Sequence, residues 1–170
     1  MTGAVGRIDP NRVVTAVLFT DIVGSTDTAA RLGDGRWREL LDRYDAMVAA
    51  EVERFRGRLI KTTGDGALAT FDGPAGAIRC ASALRDSART LDLQLRQGIH
   101  IGEVERRGSD IGGIAVNLAA RVQATAAPDE VLVTRTVADL VAGSGIEFQD
   151  RGEHELRGIP GRWQLLEVAG

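Results

Sequence analysis

Little in this chain suits it to oxidising surroundings, a bilayer or a polyanion. Its 170 residues hold one cysteine, which excludes an internal disulfide framework and fits a reducing compartment. That residue, Cys80, sits in Ala77-Ile78-Arg79-Cys80-Ala81 and reads as a small buried hydrophobe rather than a reactive thiol. No apolar run approaches the ~20 residues a membrane helix needs, and no signal peptide is visible. A basic excess is missing as well. A net charge of −3 and a pI of about 5.4 argue against a nucleic-acid surface, whose footprint is basic. There is no repeat and no low-complexity segment. The expectation is one cytoplasmic domain with a sizeable core, standing alone or as the soluble part of a longer protein, with no nucleic-acid partner and no membrane segment.

What is present centres on Val13 to Thr26, VVTAVLFTDIVGST. The apolar, β-branched run reads as a buried central strand. It delivers one carboxylate, Asp21, to the strand's end. Gly24, Ser25 and Thr26 follow, and then helix-permissive sequence, so the free N–H groups of a helix start lie beside that carboxylate. A carboxylate attracts a cation and a helix N-terminus attracts an anion. Metal-bound polyphosphate supplies both. The competing reading of such an aspartate is a simple helix cap.

Residues 1–12 lack periodicity and read as a loose leader or linker, with 13–170 as the domain proper. Trp37, Leu40, Leu41, Tyr44, Val48, Val52 and Phe55 recur at helical spacing, and Gly57 is the expected stop. Two short strands, Arg58 to Thr63 and Ala67 to Phe71, flank Gly64-Asp65-Gly66, a hairpin signal. Pro74 opens a second helix, and Leu93 to Val104 alternates as a strand. Glu105 to Ser109 reads as an exposed arm or loop. Gly112 to Ala126 is a third helix. The C-terminal part holds a strand at Val131 to Val133, a small helix near Val137, and strands near Ile146 to Phe148 and Trp163 to Val168. The fold class is therefore α+β: a ferredoxin-like βαββαβ core, its sheet mainly antiparallel with helices on one face, plus C-terminal strands.

Three constellations stand out. Asp65 is either a turn residue or a second carboxylate converging on Asp21, since β-α-β-β order makes the first strand and the next hairpin neighbours. Two carboxylates at one sheet end would hold hard divalent cations, and a pair of metals can clamp both oxygens of a phosphoryl displacement. Asn117 and Arg121, four apart, share a helix face. Their neighbours Val116, Leu118, Ala119, Ala120 and Val122 are apolar, so the expectation is a largely buried helix whose guanidinium demands an anion. His100 reads as a packed histidine and His154 as surface. Lys61, Arg96, Asp110 and Arg157 do not stand out by spacing.

Phe19-Thr20-Asp21-Ile22-Val23-Gly24-Ser25-Thr26, Lys61-Thr62-Thr63-Gly64-Asp65-Gly66 and Asp110 to Arg121 (DIGGIAVNLAAR) occur in that order. Together they resemble the catalytic domain of class III nucleotidyl cyclases, from about Val13 to Val168. The resemblance implies that Asp21, Asp65 and the Ile22 carbonyl bind two divalent cations, Mg²⁺ or Mn²⁺. It implies that Lys61 and Asp110 read the purine, Asn117 orients the ribose and Arg121 stabilises the transition state. Arg96 would grip the terminal phosphates, and Arg157 falls where the family often has a phosphate-binding lysine. It also implies a head-to-tail homodimer with two shared sites. One chain would supply Asp21, Asp65 and Arg96; the other would supply Lys61, Asp110, Asn117, Arg121 and Arg157. The stretch from Gly102 to Asp110 is short for the family's dimerisation arm, and a regulatory domain outside this chain is a further expectation.

The implied reaction is ATP to 3′,5′-cyclic AMP and pyrophosphate. Adenine offers an acceptor at N1 and an amino donor at N6, matching Lys61 and Asp110 respectively. Guanine reverses both edges, and reversed edges leave buried polar groups unpaired. The alternatives at this stage are a guanylyl cyclase and a catalytically inactive regulatory module on the same fold. The inactive module predicts losses among the metal and transition-state positions, and none is lost. No residue stands out as general base.

Overall fold

A computed structural model of the chain describes residues 9–170. Its sheet is built on β1 (Arg12–Ile22), whose hydrogen-bonded neighbours are β3 (Gly66–Phe71) and β4 (Leu95–Arg107), both antiparallel to it. β2 (Arg58–Thr62) borders β3. On the other flank β4 pairs in parallel with β6 (Val131–Thr134), which is followed by β8 (Arg162–Val168) and then β7 (Phe148–Glu155). The order β2-β3-β1-β4 is that of the expected ferredoxin-like core, and β6, β8 and β7 are the C-terminal addition. A mixed, mostly antiparallel α+β fold is what the hydrophobic pattern predicts.

Period-two alternation on β1 sends its side chains to two different cores. Ala16 and Leu18 join the larger cluster, with Tyr44, Val48 and Val52 of α2 (Asp34–Arg54) and Ile78, Ala81, Leu84 and Ala88 of α3 (Pro74–Arg89). Val17 faces the other way, into a cluster with Ala115, Val116 and Ala119 of α4 (Ile114–Thr125). Helices therefore cover both sheet faces, not one as the sequence suggests. Even-numbered residues of β4 point toward α4, so that strand is buried twice over, which the alternation in its sequence conceals. The small α5 (Arg135–Leu140) packs Val137 into the larger core.

Several boundaries differ from expectation for definable reasons. The expected leader falls for residues 1–8 outside the described residues, and Arg12 already belongs to β1. The amphipathic helix is preceded by a separate short one, α1 (Ser25–Leu32), divided from α2 at Gly33. α2 ends one turn before Gly57. Arg56 takes the left-handed conformation (φ 59), and the Gly57 amide donates back to the Val52 carbonyl at 2.8 Å. Gly57 is needed for room instead, because a Cβ there would lie 2.4 Å from the Phe71 ring. Glu105 to Ser109 is exposed as expected, but it is a paired strand and turn and not a loop. β4 runs through Arg107 and turns back as β5 (Asp110–Gly112), a hairpin whose polar side chains stand in solvent. None of the described helices is long and apolar enough to cross a membrane.

Candidate active site

β1 ends by placing Asp21 between two strands, opposite Gly66 of β3 and Arg96 of β4. The next residue ties the hairpin down, since the Ile22 amide donates to the Asp65 carbonyl at 2.9 Å. Gly66 has to be small. A Cβ at that position would lie 2.6 Å from the Thr20 carbonyl and 3.2 Å from an Asp21 carboxylate oxygen. Close packing of the hairpin on the strand end brings the two carboxylates together, although they are 44 residues apart in sequence.

Crowding leaves an electrostatic signature. Burial, the negative charge of Asp65 and a hydrogen bond between the two carboxyls push the Asp21 carboxyl up to about 6, and the Arg96 guanidinium offsets only part of this. Two like charges held this close with partial burial disfavour ionisation, and a cation relieves exactly that conflict, so the donor set fits one. No group of three or more His, Cys, Asp or Glu side chains forms a metal cage among the described residues. Hard cations such as Mg²⁺ are commonly held by one or two carboxylates, the remaining ligands being water and substrate phosphate.

The turn into α1 sits beside this pair. Gly24 adopts the left-handed conformation (φ 63) that reverses the chain, and no side chain caps the helix that follows. The first amides of α1, at Ser25 and Thr26, therefore stand open as donors toward the carboxylate end. Ser25 has a second task that its sequence position does not advertise: its hydroxyl donates to Asp65 at 2.6 Å and holds that carboxylate in place. A short hydroxyl side chain one residue after a strand-end glycine is the only signal of it in the sequence.

Lys61 and Asp110, 49 residues apart, meet at 2.9 Å where β2 and β5 approach. The Lys61 ammonium and the Ile111 amide hold the Asp110 carboxyl below the usual carboxylate range. The amide contact, 2.7 Å to the other carboxylate oxygen, fixes the orientation of Asp110. Pairing of Lys61 with Leu68, and of Leu68 with Phe19, puts Lys61 on the same sheet face as Asp21 and Arg96. An oriented donor and acceptor side by side make a surface that reads a complementary edge.

Asn117 and Arg121 overturn one expectation. Both are exposed. α4 buries only the stripe Ala115, Val116, Leu118, Ala119 and Val122 against the sheet. Its outer face carries Asn117 and Arg121 with Ile114, which is 67% exposed. The apolar neighbours of Arg121 bury themselves, not the guanidinium. Arg157 lies exposed in the turn between β7 and β8. His100 is buried, as expected, with Nδ1 2.7 Å from the Thr134 hydroxyl and its ring edge-on to Trp163. Cys80 is buried too, and burial pushes its thiol up to about 12.

Residues 9–167 match the family described as "Adenylate and Guanylate cyclase catalytic domain". A protein of Rhizobium meliloti named putative adenylate cyclase 3 is 32% identical over 157 residues, covering 87% of this chain and 27% of the relative. The adenylate cyclase of Streptomyces coelicolor is 35% identical over 126 residues, covering 73% of this chain and 33% of the relative. The chain thus spans about a third or less of these relatives. The crystal structure of the adenylyl cyclase CyaB from P. aeruginosa superposes with a TM-score of 0.88 at 22% identity, covering 96% of this chain and 97% of that one. The chain belongs to the adenylate and guanylate cyclase catalytic domain family.

Proposed function

We propose that this member of the cyclase catalytic domain family is an adenylyl cyclase, converting ATP to 3′,5′-cyclic AMP and pyrophosphate at two sites shared across a homodimer. The choice of adenine is carried by one observation, the Lys61–Asp110 pair, oriented and in contact at 2.9 Å. Lys61 donates to N1 of adenine and Asp110 accepts from its 6-amino group. Guanine presents the opposite polarity at both positions and leaves both side chains unpaired.

The carboxylates of Asp21 and Asp65, with the Ile22 carbonyl, would hold two divalent cations, Mg²⁺ or Mn²⁺. When bound there, such cations would lower the pKa of the ribose 3′-hydroxyl and offset the charge of the triphosphate. The residues of the chain do the rest by position and charge. Arg96, the open amides from Gly24 to Thr26, and Arg157 hold the phosphates. Asn117 orients the ribose so that O3′ faces the α-phosphorus in line with the leaving pyrophosphate. A bond forms from O3′ to the α-phosphorus, the bond to the bridging oxygen breaks, and the hydroxyl proton is released. Arg121 meets the charge that builds on the α-phosphate.

Exposure of Asn117 and Arg121 supports the shared site. Neither enters a side-chain hydrogen bond or ion pair among the described residues, so both are free to serve a ligand held mainly by another copy. One chain then supplies Asp21, Asp65 and Arg96, and the other supplies Lys61, Asp110, Asn117, Arg121 and Arg157. The test is incubation of purified protein with Mn²⁺ and ATP or GTP, followed by chromatographic separation of products. Cyclic AMP as the main product is the expected result. Cyclic GMP as the main product, or no cyclic nucleotide from either substrate, would overturn the reading.

A further inference from the structure

Between Asp110 and the outer stripe of α4 lies a covered glycine. Gly112, the last residue of β5, is buried, and the Arg107 side chain lies over it. A Cβ at Gly112 would stand 2.6 Å from both Cζ and Nη1 of Arg107 and 3.0 Å from Nε. Three atoms of one planar group at nearly equal distances mean that the guanidinium rests flat on the glycine. Hairpin register explains the contact. Arg107 pairs with Asp110 and Glu105 pairs with Gly112, so these four residues share one face, and Arg107 reaches diagonally to Gly112. The other face carries Val104 and Ile111 into the smaller core. No ion pair accounts for this seat. Asp110 is already in contact with Lys61 at 2.9 Å. Glu105, the one ion-pair partner of Arg107 among the described residues, is 3.4 Å away, and the two side chains are 61% and 47% exposed. Such a surface pair is worth little. The guanidinium is therefore backed by glycine on one face and open on the other.

We propose that Arg107 is a substrate-binding residue, the platform on which the purine stacks while Lys61 and Asp110 read its edge. The inference rests on the nucleotide reading above, and it adds Arg107 to the chain that supplies Lys61, Asp110 and Asn117. A base at Asp110 and a ribose at Asn117 are joined across Gly112. Asn117 stands one turn along α4 from Gly113, whose carbonyl accepts its amide at 3.2 Å. A nucleoside spanning that interval passes over Gly112, and the guanidinium lies there. Two edge contacts orient a base within its own plane and leave both of its faces to water. A guanidinium is planar, delocalised and weakly hydrated, and it stacks on π faces. Glycine at 112 lets it lie low. A side chain there would lift it into the space the base needs.

The test compares the full chain with Arg107→Ala, Arg107→Lys, Gly112→Ala and the double variant Arg107→Ala/Gly112→Ala. Calorimetry with Mn²⁺ present reads the binding of α,β-methylene-ATP and of tripolyphosphate, which has the phosphates but no base. If the proposal holds, Arg107→Ala weakens the nucleotide by roughly five- to thirtyfold, the scale of a lost base stack. Tripolyphosphate binds it as it binds the wild type. Arg107→Lys does not restore the nucleotide, because an ammonium keeps the charge without the plane. Gly112→Ala pushes only the end of a flexible side chain off its seat, so it weakens the nucleotide too. The double variant is no worse than Arg107→Ala alone, since both changes remove one interaction. Unchanged nucleotide binding in Arg107→Ala, full recovery in Arg107→Lys, or an equal loss for tripolyphosphate would overturn the proposal. Should Gly112→Ala fail to fold, the Arg107 variants decide alone. Stacking does not depend on the edge a purine shows. A wild-type chain that prefers the guanine counterpart of the analogue therefore overturns the adenine reading only, and the Arg107 variants are then read on that nucleotide. A wild-type chain that binds neither purine nucleotide overturns both.

Discussion

The strand end at Asp21 and the outer face of α4 are both candidate parts of one active site, and they are built in opposite ways. At Asp21 every group is anchored inside the protomer. Ser25 holds Asp65, the Ile22 amide holds the hairpin, and Arg96 faces Asp21 across the ladder. On α4, Asn117 and Arg121 project into solvent from a helix whose other side is fully committed to the sheet. The first region carries electrostatic conflict, stored in crowded carboxylates. The second carries none and waits for a ligand to give its charge a purpose. That contrast agrees with the proposed site shared between two copies.

The largest effect should come from the strained half. Asp21→Ala or Asp65→Ala removes a proposed cation ligand and relieves the carboxylate crowding. We expect cyclase turnover to fall by at least about a hundredfold, the scale of losing a principal electrostatic group, while the thermal midpoint is kept or raised. A calorimetric scan beside the cyclase assay checks both. Turnover near wild type with Mg²⁺ in either variant would break the comparison at its root.

How much of this was legible in the sequence follows the same division. β1, α2, α3 and the Gly64-Asp65-Gly66 hairpin announce themselves, because burial imposes a period on the apolar residues and glycine marks the turn. The convergence of Asp21 and Asp65 follows from strand order. Side-chain direction on α4 does not. Apolar neighbours suggest a buried Arg121, but only one stripe of a helix meets a sheet, and composition cannot say where that stripe ends. The β4–β5 hairpin is equally hidden, since its strands leave the core and have no reason to alternate. Lys61 and Asp110 stand out only through family resemblance, their contact being made by two strands far apart in the chain.

Mixing sharpens the comparison. Asp21→Ala and Arg121→Ala should each be inactive as homodimers, the second with an unchanged thermal midpoint because its side chain is exposed. In a mixed dimer one of the two sites collects both defects and the other collects neither. Equal mixing with free exchange makes half the dimers mixed, so activity should return to roughly a quarter of wild type, by counting sites in a two-fold assembly. Cyclic AMP formation across mixing ratios, after verified chain exchange, is the measurement. Mixed dimers that stay inactive would place both residues in one chain's site.

A smaller effect is expected from Lys61 and Asp110, the pair proposed to read the base. Changing Lys61 to Glu and Asp110 to Gly removes one matched contact and reverses another. Such mismatches leave polar groups unpaired at about 1–3 kcal/mol each, so two of them should lower kcat/KM for ATP by roughly thirtyfold or more. The fold should be unaffected, because both side chains are half exposed. Unchanged ATP kinetics would remove the pair from recognition.

The last effect is on stability and not on turnover, and it sets the strained carboxylates against the histidine packed beneath α4. The Asp21 carboxyl, raised from 3.8 to about 6, binds a proton more readily in the folded chain than in the unfolded one. Its contribution to stability is therefore present below about pH 4 and lost as pH rises toward 6. His100 runs the other way. Burial lowers it from 6.5 to about 4, so the unfolded chain takes up a proton that the folded chain refuses. Its contribution is complete above about pH 6.5 and lost as pH falls toward 4, by at most about 3 kcal/mol. Across pH 4 to 6 the two slopes oppose each other in the wild-type chain. Asp21→Asn should remove the falling branch and leave stability that climbs more steeply with pH. His100→Gln should remove the rising branch and leave stability that declines over the same interval. Each protein is compared with itself, by urea midpoints at half-unit steps from pH 4 to 7 without metal, so a uniform loss of stability in either variant does not disturb the reading. Parallel curves for all three proteins would show that neither burial effect operates. A change in one variant only would identify which of the two regions holds its charge under strain.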